Sequence, residues 1–250
     1  MIVMIDVTFD FTRDSYRYWE GFWNRKDGLG AGFSDPDSSS PTLQEYHRIL
    51  WSKELPNGEI MDLKSGSGSY YLTWKDYRFG SDSIIVSFRY YHYKEIIEQA
   101  MAQLVDYKAY YEDFLHKSYT IGGMIIFPKH NNSINQNKGT NKLISDRFDL
   151  TLECIRRFYF NEPSPLSDVL EQDRKFFEVF VDFKGYVDFF FLQDCVSSDY
   201  NKVIIWDGKG DFTENPLPKT VEDYFHFLDN ELDFLQKRNA RIREYAKSVD

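Results

Sequence analysis

The chain is poor in cysteine, with only Cys154 and Cys195 among its 250 residues, and neither lies beside another cysteine. Because cysteine is among the residue types most often buried, two buried free thiols are expected rather than a disulfide framework. The chain also lacks a run of about 20 apolar residues, the length that a helix needs to cross a bilayer. It turns acidic at Asp6, which is too early for a secretory signal. These absences predict a cytoplasmic protein with no membrane partner.

Basic residues are outnumbered, since 30 Lys and Arg against 40 Asp and Glu give a formal net charge of -10. A field of this sign repels polyanions and disfavours non-specific binding of nucleic acid. A basic cleft can still act locally, because salt screens exposed charges beyond about 8–10 Å. The composition therefore favours a small-molecule ligand or a protein partner.

Familiar catalytic signatures are also missing. The sequence contains no Gly-x-x-x-x-Gly-Lys-Ser/Thr loop, no Gly-x-Gly-x-x-Gly, no His-Glu-x-x-His and no Gly-x-Ser-x-Gly. The five histidines lie far apart, and none has a second histidine or a cysteine at the spacing of zinc ligands. The commonest recognisable enzyme classes are therefore excluded, and the sequence identifies neither a cofactor nor a metal.

Aromatic residues are abundant, because 22 Phe, 18 Tyr and 5 Trp make up 18% of the chain. These side chains bury large areas with little loss of rotamer freedom, so a core packed with Phe and Tyr is expected. Alternation of apolar and polar residues predicts a first strand over 5–11. Short apolar or aromatic runs predict further strands at 60–63, 70–74, 84–90, 121–128 and 203–206.

Helical spacing of apolar residues predicts helices over 41–50, 96–115, 144–159, 167–181 and 220–245. The first of these follows Ser40, a typical N-cap, and Pro41, which suits the first helical position. Residues 185–196 fit a strand or a helix equally well. The order of elements predicts an α+β fold, a single mixed domain over 1–250 with a strand-richer N-terminal half and a helix-richer C-terminal half. The alternative is a division near the Asn-rich loop, 130–141.

The densest group of charges lies on the predicted helix over 146–157. Carboxylates in this pattern can hold a cation or orient a water molecule, so Asp146, Asp149 and Glu153 are candidate catalytic residues. Arg156 and Arg157 are candidate substrate-binding residues, because guanidinium groups clamp anions. The competing interpretation is a structural ion network, in which Glu153 and Arg157 form an i,i+4 pair.

A second candidate group lies on the helix that follows Pro41. His47 is a candidate acid or base, since its ordinary pKa lies near neutral pH. Lys53 comes shortly after it and could bind a substrate anion in the same cleft. The competing interpretation is that His47 makes only local hydrogen bonds.

Two polar segments could also contact a ligand. The residues 81–83, Ser-Asp-Ser, precede a predicted strand and could bind a ligand hydroxyl, although Ser and Asp also form turns readily. The loop over 130–141 holds five asparagines and suits a mobile lid or a recognition surface, the alternative being a merely solvated loop.

Several motifs together resemble an uncharacterised bacterial family, a domain of unknown function. They are SPTLxxYHxxLWSK from Ser40, TIGGM from Thr120, DRFDLTLECIRR from Asp146 and GYVDFF from Gly185. The resemblance covers most of the chain and implies no established activity, cofactor or site residue. Relatives in that family carry Ala-Arg-Gly where this chain has Asn137, Lys138 and Gly139. A lysine keeps the charge but loses the planar fork that grips anions bidentately.

A looser likeness concerns the order of His47, the segment 81–83 and Glu153, which is similar to the order of functional residues in ADP-ribosyltransferases. That family places its histidine and glutamate on or beside strands, whereas both residues lie on predicted helices here.

The leading functional hypothesis is a cytoplasmic enzyme that acts on a small phosphorylated or nucleotide-like ligand, in a polar cleft near the helix over 146–157. The alternative is a non-enzymatic interaction module whose acidic, aromatic-rich surface docks a protein partner. A pocket lined by Asp146, Glu153 and Arg157 would favour the enzyme, and an exposed aromatic patch would favour the module.

Overall fold

The computed structural model describes residues 5–15, 35–66, 72–84, 94–139, 142–204, 212 and 218–249. These residues form an α+β fold in which helices and a four-stranded antiparallel sheet share one hydrophobic core. The strands lie in the N-terminal half and the C-terminal half is largely helical, which confirms the predicted fold class. No helix in this described part is long and apolar enough to cross a membrane.

The sheet contains β1 (Lys64–Ser65), β2 (Leu72–Trp74), β3 (Tyr77–Ser83) and β4 (Met124–Pro128) in chain order. A tight turn joins β2 to β3, whereas β4 pairs with β3 from a distant part of the chain. In this register Ser81 lies opposite Ile126, and Asp82 lies opposite Ile125. Because successive side chains of a strand point to opposite faces, β3 presents Ser81 and Asp82 to different faces of the sheet.

The helices are α1 (Pro36–Ser39), α2 (Pro41–Trp51), α3 (Lys94–Gln103), α4 (Tyr107–Ser118), α5 (Phe148–Tyr159), α6 (Ser167–Gln172), α7 (Arg174–Glu178), α8 (Phe183–Phe189) and α9 (Val221–Val249). The start of α2 confirms the sequence prediction, because the Ser40 hydroxyl oxygen accepts a hydrogen bond from the Leu43 amide at 3.1 Å. Single turns of 3₁₀ helix lie at Phe11–Arg13, Ile121–Gly123, Ile134–Gln136 and Gln193–Cys195.

The predicted strand over 5–11 is wrong, since this segment forms turns that end in a 3₁₀ helix. The Asp6 carboxylate accepts from the Thr8 amide, and the Asp10 carboxylate accepts from the Thr12 amide. Such local bonds offer the backbone an alternative to strand pairing. Ile5, Val7 and Phe11 are nevertheless buried and Phe9 is partly buried, so the pattern predicted burial of the apolar residues better than it predicted the secondary structure.

Other predicted elements are shorter than the sequence indicated. The predicted helix over 96–115 is divided into α3 and α4, and the one over 167–181 into α6 and α7. The predicted strand over 60–63 reduces to an isolated bridge at Ile60, with β1 following it. The ambiguous segment 185–196 contains the end of α8 and a 3₁₀ turn. Residues 85–90 and 205–206 lie outside the described residues.

Aromatic rings fill the centre of the C-terminal half, as the composition predicts. Phe180, Tyr186, Phe189 and Phe190 are buried, with ring centroids 4.9–5.5 Å apart in edge or tilted contacts. Both cysteines are buried free thiols, which confirms that prediction.

Helix α9 is anchored to this core by Arg238, which is fully buried and donates to the carbonyl oxygens of Phe190, Gly122 and Met124.

Candidate functional site

A chain of hydrogen bonds runs from α2 through β3 to α1. The Trp51 indole Nε1 donates to His47 Nδ1 at 2.9 Å, and His47 Nε2 lies 3.0 Å from Ser81 Oγ. Ser81 Oγ in turn donates to Asp37 Oδ1 at 3.0 Å. The capped start of α2 places His47 on the buried face of that helix, and the β3–β4 pairing places Ser81 opposite it.

The direction of these bonds follows from the indole, which is a donor only. His47 Nδ1 therefore accepts the hydrogen bond of the indole, and Nε2 carries the ring proton. The Nε2–H group donates a hydrogen bond to Ser81 Oγ. Burial, helped by the nearby Arg238 charge, lowers the pKa of His47 to about 3, so the ring is neutral at physiological pH. Because Ser81 Oγ accepts a hydrogen bond from His47, its own hydroxyl proton is directed at Asp37, to which it donates.

Asp37 lies at the end of this chain of hydrogen bonds, in a partly buried position on α1. Burial raises the pKa of its carboxyl group well above the ordinary value, and the charges of Asp35 and Asp82 raise it further against the Ser81 hydrogen bond. Asp37, His47 and Ser81 line a cavity of about 10 Å³ together with several apolar side chains. That volume suffices for about one water molecule.

On the other side of β3, the Lys138 ammonium group bridges two carboxylates. Its Nζ contacts Asp82 and lies 3.2 Å from Asp146 Oδ1. The lysine side chain is 2% exposed, whereas that of Asp146 is 58% exposed. Burial opposes the charge on Lys138, but the carboxylates of Asp82 and Asp146 outweigh it and raise its pKa. Burial also raises the pKa of Asp82, which Lys138 only partly offsets.

The Asn-rich loop forms a cavity of about 470 Å³, and Lys138 is one of the residues that line it. The cavity is lined by Asn132, Asn135, Gln136, Asn137, Lys138 and Lys142. Within the loop, the Asn137 amide donates to the Asn132 side-chain oxygen and to the Ser133 carbonyl, which fixes its shape. Gly139 has φ +119, a backbone conformation that favours glycine.

Two side chains of this cavity have no partner in the part of the chain that the structure describes. Asn135 and Lys142 are both exposed and make neither a hydrogen bond nor an ion pair there through their side chains. They are therefore available to a ligand.

The charged side chains of α5 and of its N-cap residue form ion pairs with one another. Arg147 and Asp149 form a doubly hydrogen-bonded pair with exposures of 1% and 0%. Glu153 accepts from Arg156 and Arg157, each at 2.8 Å, so these three groups form a local network. The geometry of Asp149, Glu153, Arg156 and Arg157 thus favours the structural interpretation of the helix.

Arg156 also contacts Glu162 at 2.6 Å, so even the more exposed end of this network is paired. Of the charged residues predicted on this helix, Asp146 joins the Lys138 cluster.

Lys53 is surrounded by aromatic rings. Its Nζ donates to the Phe189 carbonyl oxygen at 2.8 Å and lies 4.1 Å from the ring centroid of Phe191 and 4.6 Å from that of Tyr245. Burial, together with the Arg238 charge, lowers the pKa of Lys53 to about 7. The amine is therefore engaged by protein groups and does not join the polar cluster around β3.

The described residues contain no group of three or more His, Cys, Asp or Glu side chains arranged to hold a metal ion. The arrangement around β3 instead offers hydrogen-bond donors and acceptors, one buried ammonium group and two carboxyl groups with raised pKa values. Sequence analysis predicted His47 and Asp146 from this cluster and noted the segment 81–83. It missed Asp37 and Lys138 as partners, for which the local sequence holds no specific signal.

The described residues thus define an α+β protein with polar side chains clustered on both faces of β3. The sequence model of a family of unknown function, DUF6994, matches residues 5–242, and the chain belongs to that family. Comparison with curated proteins gave no match, and comparison with solved structures gave none either.

Proposed function

We propose that this protein is a cytoplasmic enzyme that binds a small nucleotide-like, phosphorylated ligand in the amide-lined cavity of the Asn-rich loop. One observation carries the proposal: Lys138 belongs both to the wall of that cavity and to the charged cluster with Asp82 and Asp146. A binding cavity and a group of ionisable side chains with perturbed pKa values thereby share one residue. That combination is typical of functional sites.

The lining chemistry suits the two parts of a nucleotide. Side-chain amides offer a donor and an acceptor together, which matches the edge of a nucleobase, and Asn135 has both free among the described residues. Lys142 and Lys138 supply the positive charge for a phosphate group. The volume of about 470 Å³ lies within the range of small-ligand pockets.

The reacting groups in this proposal are those of the Lys138 cluster. Asp82 retains its proton to a higher pH than an ordinary carboxyl group and is the candidate general acid. The Lys138 ammonium group stabilises negative charge that develops beside it. Asp146, which is more exposed and bound to the same ammonium group, is the second carboxylate and the candidate base.

His47 has a different role in this scheme from the acid or base first expected. Its ring is neutral and donates to Ser81, so it acts as a positioning residue for the Ser81 and Asp37 pair on the opposite face of β3. Asp149, Glu153, Arg156 and Arg157 support the fold through their mutual ion pairs. Because Arg156 and Arg157 hold Glu153, the proposal does not extend to ADP-ribosyltransferase-like chemistry.

The interaction-module alternative is less well supported. Among large apolar side chains that are exposed in the described residues, only Phe160 is aromatic. Most of the described phenylalanines lie in the core, where they cannot form an aromatic docking surface without unfolding.

Thermal unfolding with ribonucleoside monophosphates tests the proposal, with adenosine and inorganic phosphate as separate probes. A ligand present at about 100 times its Kd is expected to raise the Tm by about 5–10 °C, since it binds only the folded chain. Lys142→Glu is expected to abolish the shift without changing the Tm of the free protein, because Lys142 is exposed and unpaired in the described part. Lys64→Glu, at an exposed lysine of β1 that pairs with Asp62 outside this cavity, controls for the change of charge.

A Tm that no nucleotide changes would contradict the proposal. So would a nucleotide shift that Lys142→Glu and Lys64→Glu leave equally intact, because the ligand would then bind elsewhere.

A further inference from the structure

A second cavity, of about 490 Å³, lies where the N-terminal segment meets α4 and α9. It shares no lining residue with the cavity of the Asn-rich loop. Its volume is that of a small-ligand pocket. The cavity is therefore a candidate binding site in its own right, independent of the proposed function.

A histidine held by a buried carboxylate forms part of its wall. His116 Nδ1 lies 2.5 Å from Asp10 Oδ2, and the side chains are 46% and 4% exposed. The Asp10 carboxylate also accepts from the Thr12 amide and hydroxyl groups, which fix it in place. An ionised carboxylate is an acceptor only, so His116 Nδ1 carries the proton. The carboxylate thus fixes the orientation of the ring.

Cations surround this pair. Arg13, Lys117 and Arg243 line the cavity, and Asp10 is the one acidic side chain among the lining residues in the described ranges. Arg13 lies 3.8 Å from Asp10, and Lys117 is held by Asp113 at 2.6 Å. This local excess of positive charge occurs in a chain whose formal net charge is -10.

Arg243 is the most available of these cations. Its guanidinium group is exposed and forms neither an ion pair nor a hydrogen bond with any residue for which the structure gives a position. A guanidinium group binds phosphate and carboxylate oxygens bidentately.

The rest of the lining is partly apolar. Val7 comes from the N-terminal segment, and Leu232 and Leu235 come from α9. Leu232, Leu235, Gln236, Asn239 and Arg243 recur at helical spacing, so one face of α9 carries both the apolar patch and the cation.

We propose that this cavity binds a small organic anion, with its phosphate or carboxylate group on Arg243, Arg13 and His116 and its apolar body on the partly buried Leu232. The ordered pair of Asp10 and His116 distinguishes the cavity from a solvated basic surface, because a buried carboxylate there holds the ring on the cavity wall. The apolar patch distinguishes its ligand from inorganic phosphate alone.

Calorimetric titration with hexyl phosphate, hexanoate, inorganic phosphate and hexanol tests the proposal on the full chain. One or both of the amphipathic anions are expected to bind at least about tenfold more tightly than inorganic phosphate or hexanol, since only they use both parts of the site. The comparison of hexyl phosphate with hexanoate identifies the preferred anionic group.

Gln236→Glu provides a sharp variant, because Gln236 is exposed in the cavity and glutamate has nearly the same shape. The added negative charge is expected to weaken binding of the anion by about tenfold. Gln103→Glu, on an exposed position of α3, is the matched control and is expected to leave binding unchanged.

The double variant Arg13→Ala/Arg243→Ala is expected to weaken binding at least as strongly. Both side chains are exposed, so circular dichroism should show an unchanged fold. Failure of both amphipathic anions to bind the wild type at millimolar concentration would overturn the proposal. Binding that Gln236→Glu and the double variant leave intact would overturn it as well.

Discussion

Replacing Asp149 by asparagine is expected to destabilise the protein strongly while leaving its shape almost unchanged. The carboxylate accepts from Arg147 Nε at 3.0 Å and from a second guanidinium nitrogen, and both side chains are essentially inaccessible to water. An asparagine keeps one acceptor oxygen but presents an amide to the guanidinium group and carries no charge. The buried cation of Arg147 then loses the opposite charge of Asp149.

The magnitude follows from the burial of the pair. Removing one partner of a buried ion pair costs about 3–5 kcal/mol, because the remaining charge stays desolvated. For a chain of this size, that loss corresponds to a Tm lower by about 6–20 °C. Urea unfolding followed by circular dichroism measures the free energy of unfolding directly.

A double variant separates the pair from its surroundings. Arg147→Met/Asp149→Leu removes both charges and replaces them with apolar groups, so it is expected to be more stable than Asp149→Asn alone. An Asp149→Asn protein whose free energy of unfolding falls by less than about 1 kcal/mol would refute the reasoning, because substitutions of surface residues typically cost no more than that. In that case a catalytic role for Asp149 would become the better interpretation.

Three further predictions concern the core of the site and the turns that shape it. His47 is neutral in the fold and protonated when unfolded between about pH 6.5 and 3, so stability should fall on the order of 4 kcal/mol as the pH drops through this window. His47→Gln should flatten that slope in urea unfolding at a series of pH values. Asp37→Asn should be more stable than the wild type at alkaline pH, because its folded carboxyl pKa is raised and ionisation therefore costs stability. Gly123→Ala should destabilise more than Gly58→Ala in the same assay, since its Cβ would lie 1.9 Å from the Ser118 carbonyl oxygen, whereas Gly58 faces open space and its alanine carries only the strain of a φ of +84.

Each of these predictions has a clear contrary result. A pH slope that His47→Gln leaves unchanged would show that other groups cause it. An Asp37→Asn protein less stable than the wild type at alkaline pH would mean that the carboxylate is stabilised in the fold. Equal losses at Gly123 and Gly58 would mean that the backbone near Ser118 can move aside.

Local signals in the sequence predicted much of the fold. The Ser40 cap and Pro41 located the start of α2, and the apolar stripe over 221–245 predicted most of α9. These predictions succeeded because capping and helical spacing depend on residues three or four apart. The aromatic core and the buried thiols followed from side-chain chemistry alone.

The same local signals failed where two local structures compete. The alternating residues 5–11 satisfy the pattern of a strand, but the carboxylates of Asp6 and Asp10 bond nearby amides and close turns instead. A different limit applies to Arg238 on α9, whose guanidinium group is buried against three carbonyl oxygens. Its partners lie at least 48 positions away along the chain, so spacing within the helix does not predict them.

The sequence by itself determined the fold class and most of the helices, and it singled out His47 and Asp146 as candidate site residues. Only the tertiary structure decided which groups they contact. His47 meets Ser81 across 34 positions, and Lys138 meets Asp82 across 56. The Lys138 contact exists because β4 pairs with β3 and the Asn-rich loop that follows β4 returns along that strand to Asp82. Pairing between distant segments is set by burial over the whole chain, so no short stretch of residues encodes it.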